Sequence, residues 1–478
     1  RVGIGGIRDE ISQRRAVATS EDKRVFYEAC GMALDGMAHF ARRVAEACDQ
    51  AEAQGVPGEW QELARICGRV ASEPPETFHE AIQLMFLAMI ALWFGEDHYL
   101  TAPGRMDQTL RRFYEADLAA GRITRDQALE LIACLYIQLN MILGCGSAVS
   151  VMVGGRDAEG RDATNDLTYL CLEARLATHL VYPTVGLAWH EGTPGELTDF
   201  CCRMLATGIG DPAFFNDELI VPALRAHGVS ERDSYNYMNS TCVEIKVCGA
   251  SHIWVTAPYF NCPQALLDVM DAIAEGVLPE PTSFAELNQQ VRQRIAETVR
   301  EAAGNLDLVW WERGRTGCFP LASCLISDCL ERGLDFDRGG APYQWVENSF
   351  VGLANLVDGL LAIRHLVFEQ RELSLRELRQ VVKMDFAGHE DLRQRILNRV
   401  PSYGTNHEDA DALAAEWASF LSQSTAANTV GPHAYVPGFF CWIMHEVFGS
   451  QMGATPDGRH AGFPLADGAG AAQGRETA

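Results

Sequence analysis

No run of basic residues occurs anywhere in the 478-residue chain, and its balance is acidic, with 39 Lys and Arg against 64 Asp and Glu and a formal net charge of −25. Phosphate backbones are held by clustered cations, so a nucleic-acid partner is excluded and a small-molecule substrate fits better. Also missing is an apolar run of the roughly 20 residues that a membrane-crossing helix needs. The longest, Ala81 to Phe94, is shorter and reads as a buried core helix. Fifteen cysteines are present, but none stands in a CxxC pair, so neither a structural metal site nor a redox motif is expected. Their odd number, their scatter and the lack of a secretory leader point to the cytoplasm, with most thiols serving as small buried hydrophobes. There is no internal repeat of fixed period and no low-complexity linker, so no domain boundary can be placed. The chain starts at Arg1 and stops in a Gly/Ala-rich segment, which reads as a piece of a longer protein.

What is present is enough apolar residue, 47%, to bury a large core. Amphipathic helical patterns run through Glu21–Val70, Arg125–Leu143, Val351–Glu372, Ser374–Phe386, Glu390–Asn398 and Glu408–Gln423. Ala148–Val153 reads as a buried strand and Val181–Trp189 as a second, weakened by its proline; a short strand is expected around Ala434–Phe440. Strands interleaved with helices make the chain α/β.

The segment Ser240-Thr241-Cys242-Val243-Glu244-Ile245-Lys246-Val247 is rich in β-branched residues and reads as extended. In such a backbone, side chains two apart share a face. Cys242 and Glu244 then project together while Val243 and Ile245 pack behind them. A thiol and a carboxyl on one face suit chemistry in which sulfur abstracts or attacks while the carboxyl moves a proton. A buried cysteine beside a salt-bridged glutamate is the plainer reading of these three residues alone.

Their company changes that weighting. Upstream stand Asp211-Pro212-Ala213-Phe214-Phe215-Asn216-Asp217-Glu218, Ile220-Val221-Pro222-Ala223-Leu224 and Gly228-Val229-Ser230. Downstream come Ala257-Pro258-Tyr259-Phe260-Asn261, Phe319-Pro320, Asp328-Cys329, Glu331-Arg332-Gly333, Gly339-Gly340-Ala341, Gly352-Leu353-Ala354-Asn355 and Gly453-Ala454-Thr455-Pro456-Asp457-Gly458-Arg459. This ordered set resembles the glycyl radical enzymes of the pyruvate formate-lyase-like family, in its dehydratase, lyase and decarboxylase branch, from about Phe78 to Arg475.

The resemblance implies a ten-stranded barrel of two antiparallel half-sheets surrounded by many helices, incomplete here. Residues 1–478 would be the central part of one catalytic domain, without the C-terminal glycyl radical domain. It implies that Cys242 becomes a thiyl radical and that Glu244 is its general acid/base. Substrate-binding positions fall on His98, Cys145, Asn216 and Tyr259. A structural histidine, a helix cap at Asn216 and core packing of Tyr259 are the alternatives. No cofactor would be bound directly. The glycyl radical would be installed by a separate activating enzyme that uses S-adenosylmethionine and a 4Fe–4S cluster. That enzyme, a small polar substrate and a second copy of the chain in a homodimer are the implied partners, and the chemistry is anaerobic.

The sequence departs from the family in several places. The Arg-Val-x-Gly-aromatic motif that stores the radical does not occur in it, and the resemblance places that motif beyond Ala478. Thr241 precedes the cysteine and Ile245 follows the glutamate, where many relatives have glycine and proline. Gly144-Cys145-Gly146 stands where an aromatic often packs on substrate, which suggests a pocket of different shape. Dehydration of a small polar substrate is the favoured reaction, with decarboxylation of an arylacetate as the alternative within the family. A hydrolase or acyl transferase using Cys242 as an ordinary nucleophile is the alternative from another class.

Overall fold

Separate buried cores organise the two units of the computed structural model, which describes residues 2–98, 101–142, 148–240, 242–255 and 257–475. The first unit holds residues up to His252 together with Gly317–Tyr343; the second holds Ile253–Thr316 and Gln344–Ala478. No linker is visible in the sequence because two of the crossings lie within strands, Ser251–Trp254 and Tyr343–Val351.

In the first unit four parallel strands run in the order β1 (Gly104–Arg105), β2 (Ser150–Gly154), β3 (Thr184–Trp189) and β4 (Ala213–Asn216). Parallel neighbours need a long crossover, usually helical. Asp166–Thr178 and Gly195–Leu205 supply two of them. All five residues of β2 are buried, as expected of a parallel strand covered on both faces. The expected strand at Val181–Trp189 begins only at Thr184, after Pro183, which could give no ladder N–H. Two further strands, β5 (Tyr237–Asn239) and β6 (Ile245–Val247), pair antiparallel, and the chain leaves the unit along β7 (Ser251–Trp254).

The helical stretch Glu21–Val70 is two helices, Glu21–Ala53 and Trp60–Val70, because Gly55, Pro57 and Gly58 interrupt it. The apolar run extends to Phe78–Gly95, long and apolar enough on composition alone to cross a membrane. It opens with a capping box between Thr77 and Glu80. Its apolar residues serve two cores. Phe78, Ile82, Met89 and Trp93 pack with the sheet residues Val151, Val153 and Leu187, while Leu87 and Leu92 join Leu34, Ile66 and Phe336.

In the second unit β8 (Tyr259–Asn261), β9 (Tyr343–Val351) and β11 (His433–Gly438) pair in parallel, and β10 (Thr429–Val430) runs antiparallel to β11. The helix Leu353–Ile363 is buried along its whole length and continues as a π-helical segment, Arg364–Glu369, in place of the single helix expected to Glu372. Phe284–Thr316, a 33-residue helix, was not anticipated. Its charged residues hide a thin stripe of Leu287, Val291, Ile295, Val299 and Ala303 at four-residue spacing.

The motif Gly453–Arg459 is a structural turn. The Gly458 N–H donates to the Thr455 carbonyl at 3.0 Å, with φ +90° at Gly458, a left-handed value that favours glycine. Buried Asp457 accepts from Asn355 Nδ2 at 2.7 Å, and Asn355 Oδ1 accepts from the Ala466 N–H. Three residues further along the helix, Asp358 accepts from the Tyr403 N–H at 2.8 Å and from Arg475 Nη1 at 3.2 Å. Burial outweighs these donors and raises Asp358 to about 7. A carboxyl raised above its unfolded value of about 3.9 binds its proton more tightly in the folded state, so stability falls as pH rises from about 4 through 7. The slope contributed is at most about 1.4 kcal/mol per pH unit. Asp358→Asn is expected to flatten this part of the stability curve, measured by urea unfolding between about pH 4.5 and 7.5. An unchanged slope would assign the dependence elsewhere.

Candidate active site

The β5–β6 hairpin brings Cys242 and Glu244 together. Asn239 and Ile245 are its last paired residues, and the Ser240 N–H donates to the Glu244 carbonyl at 2.7 Å. Cys242 and Val243 therefore lie in a bend at the apex, not in the extended strand the sequence suggested, and Val243 is exposed instead of packing behind the pair. The pairing of thiol and carboxyl has another origin. Glu244, which is buried, turns its carboxylate back so that Oε2 accepts from the Cys242 N–H at 3.2 Å. Cys242 itself is half-buried.

The apex is fixed from below by residues the sequence did not single out. Asn239 Nδ2 donates to the Cys242 carbonyl at 3.0 Å, and Ser150 Oγ, on β2, donates to the carbonyls of Asn239 and Ser240. Gly186 on β3 makes room for this: a Cβ there would stand 2.8 Å from the Phe215 ring and 3.2 Å from Asn239 Oδ1. Lys246, on β6, is half-buried, and desolvation lowers its pKa against the opposing pull of Cys248 and Glu244.

The segment Gly104–Gln108 is a clamp. Arg105 is buried and donates to the carbonyls of Gly154, Arg156 and Tyr235, tying β2 to the entry of β5. Asp107 accepts from the Gly154 N–H at 2.9 Å and from Thr168 Oγ1 at 2.7 Å, and burial raises its pKa. Gly104, at φ +80°, lies so close to Cys248 that a Cβ would come within 2.7 Å of its sulfur. A second tie runs from Tyr237 Oη to Asp217 Oδ1 at 2.6 Å, joining β5 to the helix after β4.

The other nominated residues fall in different settings. His98 lies in the turn after the helix Phe78–Gly95, its ring 5.5 Å from that of Phe336 and 5.7 Å from that of Phe319. Phe336 also contacts His252, whose Nε2 is 2.8 Å from Asp337 Oδ1. Asn216 is exposed and caps the helix Asp217–Ala226 by accepting from the Glu218 N–H at 3.0 Å. Tyr259 opens β8 in the second unit and packs against that unit's core. Cys145 lies outside the described residues.

A protein-family model described as pyruvate formate lyase-like matches residues 1–449. Among curated proteins, a probable dehydratase, YbiW, from Escherichia coli K12 is 30% identical over 99% of this chain and 64% of its own length. Trans-4-hydroxy-L-proline dehydratase from Clostridioides difficile is 28% identical over 95% of this chain and 62% of its own. Among solved structures, one described as 1,2-propanediol dehydration in Roseburia inulinivorans matches with a TM-score of 0.95 and 28% identity, over 99% of this chain and 64% of that one. The chain thus spans less than two thirds of the length of the relatives it matches. That solved structure shares the α/β fold of this chain. With the family model covering residues 1–449, the chain belongs to the pyruvate formate lyase-like family.

Proposed function

We propose that the Cys242–Glu244 hairpin is the reactive loop of a glycyl radical lyase that dehydrates a small polar substrate. The observation that carries this reading is the bond from the Cys242 N–H to the Glu244 carboxylate, which ties an acid/base group to the backbone of the cysteine. The named activities of the dehydratase relatives support it. The reading brings with it a radical S-adenosylmethionine activating enzyme as partner, a homodimeric assembly and a cytoplasmic, anoxic setting.

The glycyl radical supplies removal of the hydrogen atom from the Cys242 thiol. The Cys242 sulfur then takes a hydrogen atom from the substrate carbon that bears a hydroxyl, and the Glu244 carboxylate accepts that hydroxyl's proton. The C–O bond on the neighbouring carbon breaks, and the departing hydroxide takes the proton back from Glu244 and leaves as water. The thiol returns its hydrogen atom to the product. Hydrogen atoms, protons and electrons balance without an outside oxidant. The fixed apex keeps sulfur and carboxylate in one geometry through these steps, which is where positioning contributes most to rate.

The test is anaerobic turnover by the activated full-length protein on a vicinal diol or a vicinal dihydroxy acid deuterated at the carbon from which hydrogen is taken. A primary isotope effect, deuterium recovered in the product and loss of activity in air are expected. Air-stable turnover without an isotope effect would overturn the radical reading in favour of a nucleophilic cysteine.

A further inference from the structure

Only three of the 39 basic residues are lysines: Lys23, Lys246 and Lys383. Lys383 is ion-paired with Asp271 at 2.7 Å, and Lys23 stands in the first turn of the helix Glu21–Ala53. A chain that places arginine almost everywhere keeps its remaining lysine four residues after Cys242. On β6, Lys246 points away from Ile245 and Val247, toward the side of Glu244 before it and Cys248 after it. Among the described residues its ammonium makes no hydrogen bond or ion pair. One oxygen of the neighbouring Glu244 is already occupied by the Cys242 N–H.

We infer that Lys246 is a specificity-determining, substrate-binding residue that receives an anionic oxygen group, a carboxylate or a sulfonate. The substrate is then a small hydroxylated acid and not a neutral diol. Glu244 stands two positions before Lys246 and is near enough to act on its charge, so a small substrate with a hydroxyl at one end and an anionic group at the other can meet both. Desolvation holds the pKa of Lys246 below its usual value. A bound anion favours the charged form of the ammonium that loss of hydration disfavours. In a chain with a net charge of −25, a local cation also favours the approach of an acid.

The inference rests on the proposed function only in treating the bound acid as substrate. Binding is therefore measured separately from turnover, by calorimetry of the full-length protein with 2,3-dihydroxypropanoate, 2,3-dihydroxypropanesulfonate and propane-1,2-diol, all of which carry the two neighbouring hydroxyls that the proposed reaction needs. At least one of the two anions is expected to bind, about tenfold or more tighter than the diol, and the tighter one distinguishes carboxylate from sulfonate. Lys246→Met and Lys246→Gln are expected to weaken it by about ten- to a hundredfold with the thermal midpoint retained, and Lys246→Arg to recover part of the loss. Cys242→Ser should bind the anion as the parent does, so a failure of the radical reading leaves this result intact. The inference is overturned if neither anion binds, if the diol binds as tightly, or if both neutral variants bind the anion unchanged.

Discussion

On the proposed radical reading, Cys242→Ser in the full-length protein is expected to leave a glycyl radical installed by an activating enzyme in place and to lower turnover by about 10⁴-fold or more. The argument starts from bond strengths. An alkyl O–H bond is much stronger than an S–H bond, so a carbon-centred radical on glycine can take a hydrogen atom from a thiol but not from a serine hydroxyl. The substitution keeps the apex otherwise intact: the backbone N–H of residue 242 still donates to Glu244, and its carbonyl still accepts from Asn239. Folding and substrate binding should therefore persist, and the loss belongs to the hydrogen-atom transfer itself. Electron paramagnetic resonance of the activated variant and anaerobic product analysis together check this. A variant that keeps its radical and still turns over at a tenth of the parental rate would remove Cys242 from the mechanism. A variant slow but active in air would point to acyl transfer, where a serine can stand in poorly for cysteine.

The pair at the apex was legible because its two residues are close in sequence, where spacing alone constrains direction. The geometry behind it was not. Side-chain alternation predicted a shared face, yet the backbone bends at Cys242 and Val243, and the pairing arises because Glu244 folds back onto the Cys242 N–H. Ser150 and Asn239 were invisible for a different reason. They meet across 89 positions, and nothing in the local pattern of either marks a contact that only the β2–β5 packing creates. Lys246 leaves a signal in composition, since lysine stands at only three positions of an arginine-rich chain and one of them is four residues after Cys242.

The same division runs through the fold. Buried strands such as Ser150–Gly154 and capped helices such as Phe78–Gly95 declare themselves locally, by apolar content and by the Thr77–Glu80 box. Phe284–Thr316 does not, because its buried residues recur only at every fourth position among charged and polar ones, and burial comes from the partners that cover them. The two-unit division leaves little trace in the sequence, since two of the three passages between units lie within strands.

Arg175→Met is expected to destabilise the first unit by about 3–5 kcal/mol, the cost of stranding one member of a buried ion pair. Arg175 lies in the helix Asp166–Thr178, and its Nε donates to Asp211 Oδ2 at 2.6 Å with both side chains almost fully enclosed. Asp211 also accepts from the Val185 N–H at 3.3 Å, so one carboxylate joins the crossover helix to β3 just ahead of β4. Burial already raises its pKa even with the guanidinium beside it. Without Arg175 the carboxyl takes up a proton or stays charged without a partner, and either state is costly. Its raised pKa means the folded variant binds a proton more tightly than the unfolded chain, so the loss should shrink as pH falls. Adding Asp211→Asn keeps an acceptor for Val185 and removes the charge, and the double variant should be more stable than Arg175→Met alone, a non-additivity that two distant sites would not show. Urea unfolding of the parent, both single variants and the double variant measures the cycle. A loss below about 1 kcal/mol for Arg175→Met would mean that the site rearranges to admit water. The consequence reaches the reactive loop, because β3 carries Gly186 against Asn239, and a loosened β3 would release the residue that holds the Cys242 carbonyl.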